Sequence, residues 1–239
     1  MSYNLDMPEE KELIPTHIAI IMDGNRRWAK SHGKEALEGH KAGAENLERL
    51  AEYASSIGVK TLTVYALSTE NLTSRVGREL QGLFDLFIWG FKHKIKKLVD
   101  SGVRVNVIGD VTKLPDTLQK LISSLKQSYK DNDSFTLNIA LNYGGKQEIL
   151  HAVKAIIKDG IDIDKLTESD IAKRLYTKDQ HEPDLVIRTG GQVRLSNFLL
   201  WQSSYSELYF TKIYWPDFGP KQLDEAILWY QEQKRNFGK

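Results

Sequence analysis

The segment HIAIIMDGNRRWAK, near the amino end of the chain, places a carboxylate, an amide and two guanidinium groups directly after a short apolar run. The run Ile18 to Met22 is rich in β-branched side chains, which favours a buried parallel strand over a helix. Asp23 then lies at the carboxyl end of the strand, where ligands bind in open α/β sheets. A helix that begins near Asn25 would direct free N–H groups at a bound anion. Arg26 and Arg27 add planar donors suited to phosphate oxygens, although a DG turn before a solvated basic helix fits the same spacing.

A second group of candidate anion ligands follows the apolar run Leu185 to Ile187. Arg188 and Arg194 flank a pair of glycines there, and glycine allows backbone N–H groups to approach phosphate oxygens closely. Ser196 adds a hydroxyl donor. Fixed cations of this kind can hold two diphosphate groups in one crevice. The alternative interpretation is a glycine turn between surface arginines.

Both groups need strands to position them, and strand-like apolar runs alternate with helix-like patterns along the chain. This alternation predicts an α/β fold with a central, mainly parallel sheet flanked by helices. The expected strands are Ile18 to Met22, Thr61 to Leu67, Val103 to Ile108, Thr136 to Leu141, Leu185 to Ile187 and Glu207 to Phe210. The expected helices are Ala42 to Ile57, Glu79 to Ser101, Leu114 to Tyr129, Lys146 to Lys158, Glu168 to Leu175 and Lys221 to Gln233.

Length and composition limit the classes of protein to consider. The 239 residues contain no linker-like, repeated or low-complexity tract, which predicts a single domain over residues 14–239 after a flexible N-terminal segment, residues 1–13. The 33 basic and 32 acidic side chains balance, which argues against a nucleic-acid partner. The sequence has no cysteine, no secretory signal and no apolar stretch long enough to span a bilayer. We therefore expect a cytoplasmic protein whose membrane contact, at the inner face, is at most peripheral.

Five segments of the chain match, in order, the signatures of one enzyme family. They are HIAIIMDGNRRWAK, GHKAG from Gly39, YALSTEN from Tyr65, LNIALNYGG from Leu137 and RTGGQVRLSNFLLWQSSYSELYF from Arg188. Together with WPDF at Trp215 they span nearly the whole chain. On these motifs the chain resembles the cis-prenyltransferases, and most closely the bacterial undecaprenyl diphosphate synthases.

The resemblance implies a six-stranded sheet, an apolar tunnel and a reaction that joins two diphosphate substrates. Isopentenyl diphosphate units are condensed onto an allylic diphosphate, with farnesyl diphosphate as the expected starter, and each new double bond has Z geometry. The expected product is a long-chain polyprenyl diphosphate, undecaprenyl diphosphate, for the lipid carrier of cell wall synthesis. The resemblance also implies a homodimer and Mg²⁺, a hard ion that suits carboxylate and phosphate oxygens.

The resemblance assigns catalytic and metal-binding roles by matching position. Asp23 is expected to assist departure of the allylic diphosphate, while Asn25 and Ser68 position the second substrate or a water. An amide such as Asn25 is too weak a base to act alone. Asp23 and Glu207 are the expected Mg²⁺ ligands, with Glu207 donated across a dimer interface.

The substrate-binding residues fall into two implied groups. Arg27 and His40 are expected to hold the allylic diphosphate, and Arg188, Arg194 and Ser196 the isopentenyl diphosphate. The remaining residues of the expected site are Gly24, Arg26, Trp28, Glu70 and Asn71.

An apolar stripe on the helix expected from Glu79 is a candidate tunnel wall, although such a stripe is most often simply core. Its residues are Leu80, Leu83, Phe84, Phe87, Ile88 and Phe91. In the cis-prenyltransferases the corresponding helix walls the tunnel, which implies Leu83 and Phe87 as lining residues. Strand alternation places Val64, Ala66 and Ser68 on one face, and the small Ala66 leaves room for a long product. Phe135 is implied at the far end of the tunnel.

The chain departs from the family pattern at four places. Gln192 and Val193 stand where members often carry Glu and some carry His, so metal ligation from these positions is absent. Ala36 stands where an arginine is expected, which removes a cationic contact. The segment Leu72 to Arg78, where Leu72 replaces Trp and one residue is added, is interpreted as a mobile lid. Because the motif residues of the catalytic site are retained, we expect an active enzyme.

Three other functions remain open from the sequence. A short-chain cis-prenyltransferase would share the chemistry but have a tunnel that is blocked early. A catalytically silent subunit would bind prenyl diphosphate and support a partner synthase, although the retained Asp23 and both arginines argue against it. A nucleotide-binding module would need GxxxxGKS/T or GxGxxG after a strand, and neither motif is present. The DDxxD cluster of the trans-prenyltransferases is also lacking.

Overall fold

The computed structural model describes residues 14–74, 77–126 and 135–233. The segment expected to be flexible, residues 1–13, and the end of the helix expected to reach Tyr129 lie outside these residues. The described strands are β1 (His17–Ile21), β2 (Thr61–Ser68), β3 (Arg104–Ile108), β4 (Thr136–Tyr143), β5 (Leu185–Arg188) and β6 (Glu207–Phe210). Each expected strand is found, with small differences at the ends.

The described strands form a six-stranded sheet in the order β3-β4-β2-β1-β5-β6. Every neighbouring pair is parallel, which confirms the expected sheet. The chain adds β2, β4 and β3 on one side of β1, and β5 and β6 on the other. This reversal leaves a crevice beyond the carboxyl ends of the central strands, where ligands of open α/β sheets bind.

Helices flank the sheet on the described part of the chain. They are α1 (Asn25–Ser31), α2 (Ala36–Ser56), α3 (Thr69–Ser74), α4 (Arg78–Gly90), α5 (Lys96–Asp100), α6 (Asp116–Lys126), α7 (Gly145–Lys158), α8 (Glu168–Ala172) and α9 (Pro220–Gln231). Throughout the described ranges, no helix is both long enough and apolar enough to cross a membrane.

Alternate side chains of the strands enter two hydrophobic cores, one on each face of the sheet. In β1, Ile18 and Ile20 belong to the larger core, whereas Ala19 and Ile21 belong to the smaller one. Buried side chains of α2, α4, α5, α6 and α9 complete the larger core. The strand ends are therefore fixed by packing from both sides.

α2 begins at Ala36, six residues before the expected start at Ala42. The start is earlier because Glu35 and Glu38 form a capping box that satisfies the first backbone N–H groups, and such a cap carries no apolar periodicity. Gly39 lies in the added turn because α1 packs against it: a Cβ there would lie 2.1 Å from the Asn25 carbonyl oxygen.

α4 continues through a π-helical turn (Phe91–Ile95) into α5, so the expected helix from Glu79 to Ser101 is present as one continuous segment. The π-helical turn was not expected, because it leaves the apolar repeat of three and four residues unchanged. Single π-helical turns within α-helices occur frequently at functional sites.

β2 departs from regular alternation near its carboxyl end. Its pairing with β4 shifts register between Tyr65 and Leu67, and again between Leu67 and Ser68. As a result Leu67 joins Val64 in the larger core, and Ala66 packs against that core as well. Irregularities of this kind redirect side chains next to binding sites.

Candidate active site

Three central strands end beside one another and bring polar residues together. β1 and β5 pair with Ile21 level with Arg188, and Asp23 follows the end of β1 after one residue, Met22. β2 is the other neighbour of β1 and ends at Ser68. Asp23 and Arg188, which are 165 positions apart in the sequence, are therefore in direct contact.

The carboxylate of Asp23 lies between two guanidinium groups. Arg27 Nη2 donates to Oδ1 at 2.9 Å, and Arg188 Nη2 donates to Oδ2 at 3.0 Å. Arg188 is only 5% exposed, so its charge needs the compensating carboxylate. Arg27 is partly exposed and lines the cavity described below, where it can also meet an anionic ligand.

Gly190 allows the loop after β5 to pack against Asp23 and Arg27. Its φ is 80°, in the left-handed region, and Arg27 Nη1 donates to its carbonyl oxygen at 2.6 Å. A Cβ at this position would lie 2.6 Å from Arg27 Nη2 and 3.0 Å from the carbonyl carbon of Asp23. Both the backbone conformation and the available space therefore require glycine.

Arg188 also organises the loop that carries the other expected substrate ligands. Its Nη1 donates to the Arg194 carbonyl oxygen and to Ser196 Oγ, the latter at 2.7 Å. Its Nε is buried and has no hydrogen-bond partner among the described residues. The Arg194 side chain is exposed, and its Nη1 donates to Gln192 Oε1 at 2.6 Å. Gln192, one of the departures from the family pattern, thus orients an expected substrate ligand.

Asn25 lies at the contact between α1 and α2. Its Nδ2 is 3.5 Å from His40 Nδ1, and its Oδ1 is buried without a hydrogen-bond partner in the described ranges. The close approach depends on Gly43, because a Cβ there would lie 2.5 Å from Asn25 Oδ1 and 2.8 Å from Trp215 Cδ1. Two residues with separate expected roles, in proton handling and in diphosphate binding, are therefore neighbours.

The end of β2 and the start of α3 supply a carboxylate to the site. Ser68 Oγ accepts a hydrogen bond from the Asn71 N–H at 3.1 Å, and Asn197 Nδ2 donates to Glu70 Oε1 at 2.8 Å. Burial raises the pKa of the Glu70 carboxyl, but hydrogen bonds from its own backbone, from Asn197 and from Ser68 outweigh this effect and lower the pKa below its usual range. Glu70 is therefore ionised at neutral pH.

These polar groups lie at one end of a cavity of about 1370 Å³. Apolar side chains of α2, β2, α4 and the π-helical turn wall the remainder, among them Leu47, Leu67, Leu86 and Phe91. A space with a cationic end and an apolar body suits a ligand that combines an anionic head with a hydrocarbon chain.

Most of the expected site residues line this cavity. They are Asp23, Gly24, Asn25, Arg26, Arg27, His40, Ala66, Ser68, Glu70, Asn71, Leu83, Phe87, Arg188, Arg194 and Ser196. Ala36 lines it as well, so the missing arginine would have faced the same space.

Three expected site residues, Trp28, Phe135 and Glu207, lie outside the cavity wall. The Trp28 ring stacks on His32, and its Nε1 donates to Asp217 Oδ1 at 2.7 Å. Phe135 is fully buried in the larger core and does not line the cavity.

Glu207 and Asp23 lie at opposite ends of the parallel strands. Glu207 is level with Leu185, which is level with Ile18, five residues before Asp23. At about 3.3 Å per residue the two residues are separated by roughly 16 Å along the strand direction within one chain, and β5 lies between β1, which Asp23 follows, and β6. Within the described ranges, no group of three or more His, Cys, Asp or Glu side chains is placed to hold a metal ion. A Mg²⁺ ion at Asp23 would therefore draw its other ligands from water and substrate phosphates, which is the usual pattern for this ion.

Five charged or amide-bearing cavity residues were missed from the sequence: Lys30, Lys34, Glu48, Lys94 and Asn197. Lys30 follows Arg26 by four residues, a spacing that places both on one side of α1, whereas Lys34 lies beyond the end of that helix at Ser31. Asn197 has a left-handed backbone with φ of 65°, which asparagine tolerates better than most residues. Glu48 gave no signal, because its partners come from a distant helix.

Comparisons with known proteins agree with this geometry. Residues 21–238 match the prenyltransferase family model described as "Putative undecaprenyl diphosphate synthase". An isoprenyl transferase from Fusobacterium nucleatum is 50% identical over 94% of this chain and 96% of its own length. A ditrans,polycis-undecaprenyl-diphosphate synthase, farnesyl-diphosphate specific, from Pasteurella multocida is 43% identical over 94% of this chain and 95% of its own.

Solved structures resemble the fold over nearly its full length. Lavandulyl diphosphate synthase from Lavandula x intermedia, in complex with dimethylallyl diphosphate, has a TM-score of 0.90 at 36% identity, covering 95% of this chain and 99% of its own. A probable undecaprenyl diphosphate synthase from Campylobacter jejuni has a TM-score of 0.79 at 30% identity, covering 94% and 99%. With a family model that matches almost the whole chain and relatives of this similarity, the chain belongs to the undecaprenyl diphosphate synthase family of prenyltransferases.

Proposed function

We propose that the protein condenses isopentenyl diphosphate units onto farnesyl diphosphate, with Z geometry at each new double bond, and releases undecaprenyl diphosphate. The names of the relatives from Pasteurella multocida and Vibrio vulnificus support this starter and this product. The observation that carries the proposal is the carboxylate of Asp23, held between Arg27 and Arg188 where a cationic cavity end meets an apolar cavity body.

Two groups of cationic and polar residues suit two different diphosphates. The growing chain must extend into the apolar body, which α2 walls from His40 onward, so we assign its diphosphate to Arg27 and His40. Isopentenyl diphosphate is short and must be replaced after every cycle, so it suits the exposed Arg194 together with Arg188 and Ser196. The Nε of Arg188, which has no hydrogen-bond partner among the described residues, is a further donor in this group.

The proposed reaction separates charge, and the site stabilises both of the charges that form. As the allylic C–O bond breaks, the double bond of isopentenyl diphosphate attacks the allylic carbon, and the added unit then loses a proton to an oxygen of the departing diphosphate. Arginines stabilise the departing diphosphate, and the ionised Glu70 stabilises the transient positive charge. Asn25 and Ser68 orient the isopentenyl group or a water, since neither side chain is a strong base at neutral pH.

We also propose Mg²⁺ as cofactor, with Asp23 as its ligand from this chain. Asp23 lines the cavity beside the groups proposed for phosphate binding, and one carboxylate is sufficient for an ion that keeps waters and phosphates as ligands. When bound, the ion would neutralise charge on the diphosphate that leaves. A role of Glu207 in the same metal site requires a second copy of the chain, given its position at the other end of the sheet.

A long product is favoured over a short one by the cavity. Its volume of about 1370 Å³ exceeds the roughly 300–1,000 Å³ typical of pockets for small ligands.

The homodimer, the peripheral membrane contact and the cytoplasmic location stay predictions.

The test is a reaction with purified protein, isopentenyl diphosphate and farnesyl diphosphate, with and without a chelator of divalent metal. We expect polyprenyl diphosphates whose new double bonds are Z by NMR, and no product once the metal is chelated. Products with E geometry would overturn the assignment. Tight binding of farnesyl diphosphate without any product from any allylic starter would instead indicate a silent subunit.

A further inference from the structure

An ion pair between α2 and the π-helical turn is set into the otherwise apolar body of the cavity. Glu48 is 8% exposed, and Lys94 Nζ lies 2.7 Å from its Oε2. Both residues line the cavity. Lys97 Nζ lies 2.8 Å from Glu48 Oε1, but Lys97 is exposed and is not part of the cavity wall.

The pair lies far from the cationic end of the cavity. α2 and α4 run side by side in the same direction, because Leu37 lies next to Gly82 near their starts and Glu48 meets Lys94 further along. Glu48 follows His40, the α2 residue at the cationic end, by eight positions, which corresponds to about 12 Å along the helix axis. Beyond Glu48, no later residue of α2 lines the cavity among those described. The ion pair therefore marks the remote end of this wall.

The helical segment opposite α2 is irregular at this point. Lys94 belongs to the π-helical turn, and it interrupts a run of apolar cavity residues on that segment that continues with Ile95 and Leu98. A purely structural contact between two helices would not need a charged pair in an apolar wall, because apolar side chains of similar volume often serve stability as well or better. The placement of the pair thus indicates a functional role.

A prenyl chain has no donor or acceptor to offer a charged group. If its end reached Glu48 and Lys94, the chain would have to separate the two charges or cover them with hydrocarbon, and both are unfavourable in a buried site. Growth along the apolar wall gains free energy with every unit, and this gain ends where the wall becomes ionic.

We propose that the Glu48–Lys94 pair is a polar stop that sets the length of the product. This inference rests on the proposed function, since it concerns the chain that the synthase elongates. A polar stop limits the product through its charge, and a steric stop limits it through side-chain volume. If charge is removed and volume is kept, a polar stop no longer limits the product length, whereas a steric stop still does.

The decisive variant is the double substitution Glu48→Met with Lys94→Met, which removes both charges and keeps similar side-chain volumes. The matched control is Lys97→Met, because Lys97 contacts the same carboxylate from outside the cavity. Each protein is incubated with isopentenyl and farnesyl diphosphates, and the dephosphorylated products are sized by reversed-phase chromatography. Thermal unfolding of each variant is recorded to establish that it is folded.

We expect the double variant to move the main product to greater length by at least one isoprene unit, and the control to give the wild-type distribution. An unchanged distribution in the folded double variant would overturn the polar stop. If the double variant does not fold, Lys94→Met alone serves, because Lys97 still pairs with Glu48, and the same outcomes apply. Failure of the proposed function would look different, because the wild-type protein would then give no prenyl product to size.

Discussion

Asp23 compensates two guanidinium groups at once, and one of them is buried. Without the carboxylate, Arg188 would remain as an uncompensated charge beneath the cavity, and Arg27 would lose its partner on the same helix. We therefore expect the Asp23 side chain to contribute both to folding stability and to catalysis. Measuring turnover and unfolding of the same variant separates the two contributions.

We expect Asp23→Ala to lower kcat about a thousandfold, which corresponds to about 4 kcal/mol in activation free energy, on the scale of a lost metal-linked electrostatic contact. Steady-state kinetics at saturating isopentenyl diphosphate measure this change, with thermal unfolding as the check on folding. Asp217→Ala is the matched control, because Asp217 lies outside the cavity. Near-normal turnover in a folded Asp23→Ala protein would disprove the assignment of Asp23.

Arg194→Ala tests the group assigned to the second substrate. The Arg194 side chain is exposed, so its removal leaves the core intact. We expect KM for isopentenyl diphosphate to rise about tenfold to a hundredfold, the scale of one charge-assisted hydrogen bond, while KM for the allylic substrate changes little. Initial rates at varied concentrations of each substrate distinguish the two. Equal increases in both KM values would contradict the assignment.

Single residues could be predicted from the sequence where they stand in a motif next to a strand end. Asp23 and Arg188 are examples, because parallel strands bring such positions together. Asn197 was missed although it lies in a matched segment, because its contact with Glu70 depends on two consecutive left-handed residues, Ser196 and Asn197. Backbone conformation of that kind leaves no periodic pattern in the sequence.

At the scale of elements, the end of β2 combines a small side chain with an irregular register. Ala66 and Leu67 both line the cavity, although regular alternation would place only one of them there. Ala66 has the smaller side chain of the two, so it leaves more of the cavity open than Leu67 does. A larger side chain at this position would fill space that a prenyl chain needs.

We expect Ala66→Leu to shorten the main product by several isoprene units. Each unit that stays out of water gains free energy at about 0.8 kcal/mol per CH₂, so growth continues until the wall blocks it. Chromatographic sizing of the products provides the measurement. Ala172→Leu, on α8 and outside the cavity wall, serves as the control. An unchanged length distribution would mean that Ala66 does not limit the chain.

Elements themselves were largely predictable, because runs of β-branched residues mark buried strands and apolar repeats mark helix faces. The first and last residues of an element could be predicted only where a local signal, such as a helix cap, was recognised in the sequence. α2 began earlier than expected because Glu35 and Glu38 cap it, and these residues carry no apolar periodicity. The π-helical turn at Phe91–Ile95 could not be predicted, since it changes hydrogen bonding without changing the spacing of apolar residues.

At the scale of the whole molecule, Asp23 and Glu207 of one chain lie too far apart to bind the same metal ion. The expected shared metal site therefore requires two copies of the chain. We expect Asp23→Ala and Glu207→Ala proteins to be weakly active alone and to recover activity when they are coexpressed and form mixed dimers. One of the two sites in a mixed dimer would combine both intact carboxylates, so random pairing restores about a quarter of the wild-type activity. No recovery in a purified mixed dimer would show that Glu207 does not complete the site of a second copy.

The amino end of the sheet gives a separate prediction for stability. Burial lowers the pKa of His17 from 6.5 to about 4, although the His181 carbonyl and Asp184 act in the opposite direction. The unfolded chain then binds a proton at higher pH than the folded chain, so the stabilising contribution is present above pH 6.5 and is lost as the pH falls towards 4. We expect this loss to be about 3 kcal/mol in the free energy of unfolding.

Urea unfolding at pH 7 and pH 4.5 measures this dependence. His17→Gln keeps a polar side chain beside Thr63 and His181 but has no titrating group, so its stability should fall less over the same range. An equal fall in both proteins would show that another group controls the acid sensitivity.

The backbone of Asp23 is held as firmly as its side chain. Its carbonyl oxygen accepts hydrogen bonds from Thr189 Oγ1 at 2.7 Å and from the Trp215 N–H at 3.0 Å. The ordering of this carboxylate is therefore completed when the chain folds, and substrate finds it already in place. Heating would have to separate β1, β5 and the segment around Trp215 before Asp23 could move. Inactivation and global unfolding should consequently share one transition temperature in this enzyme.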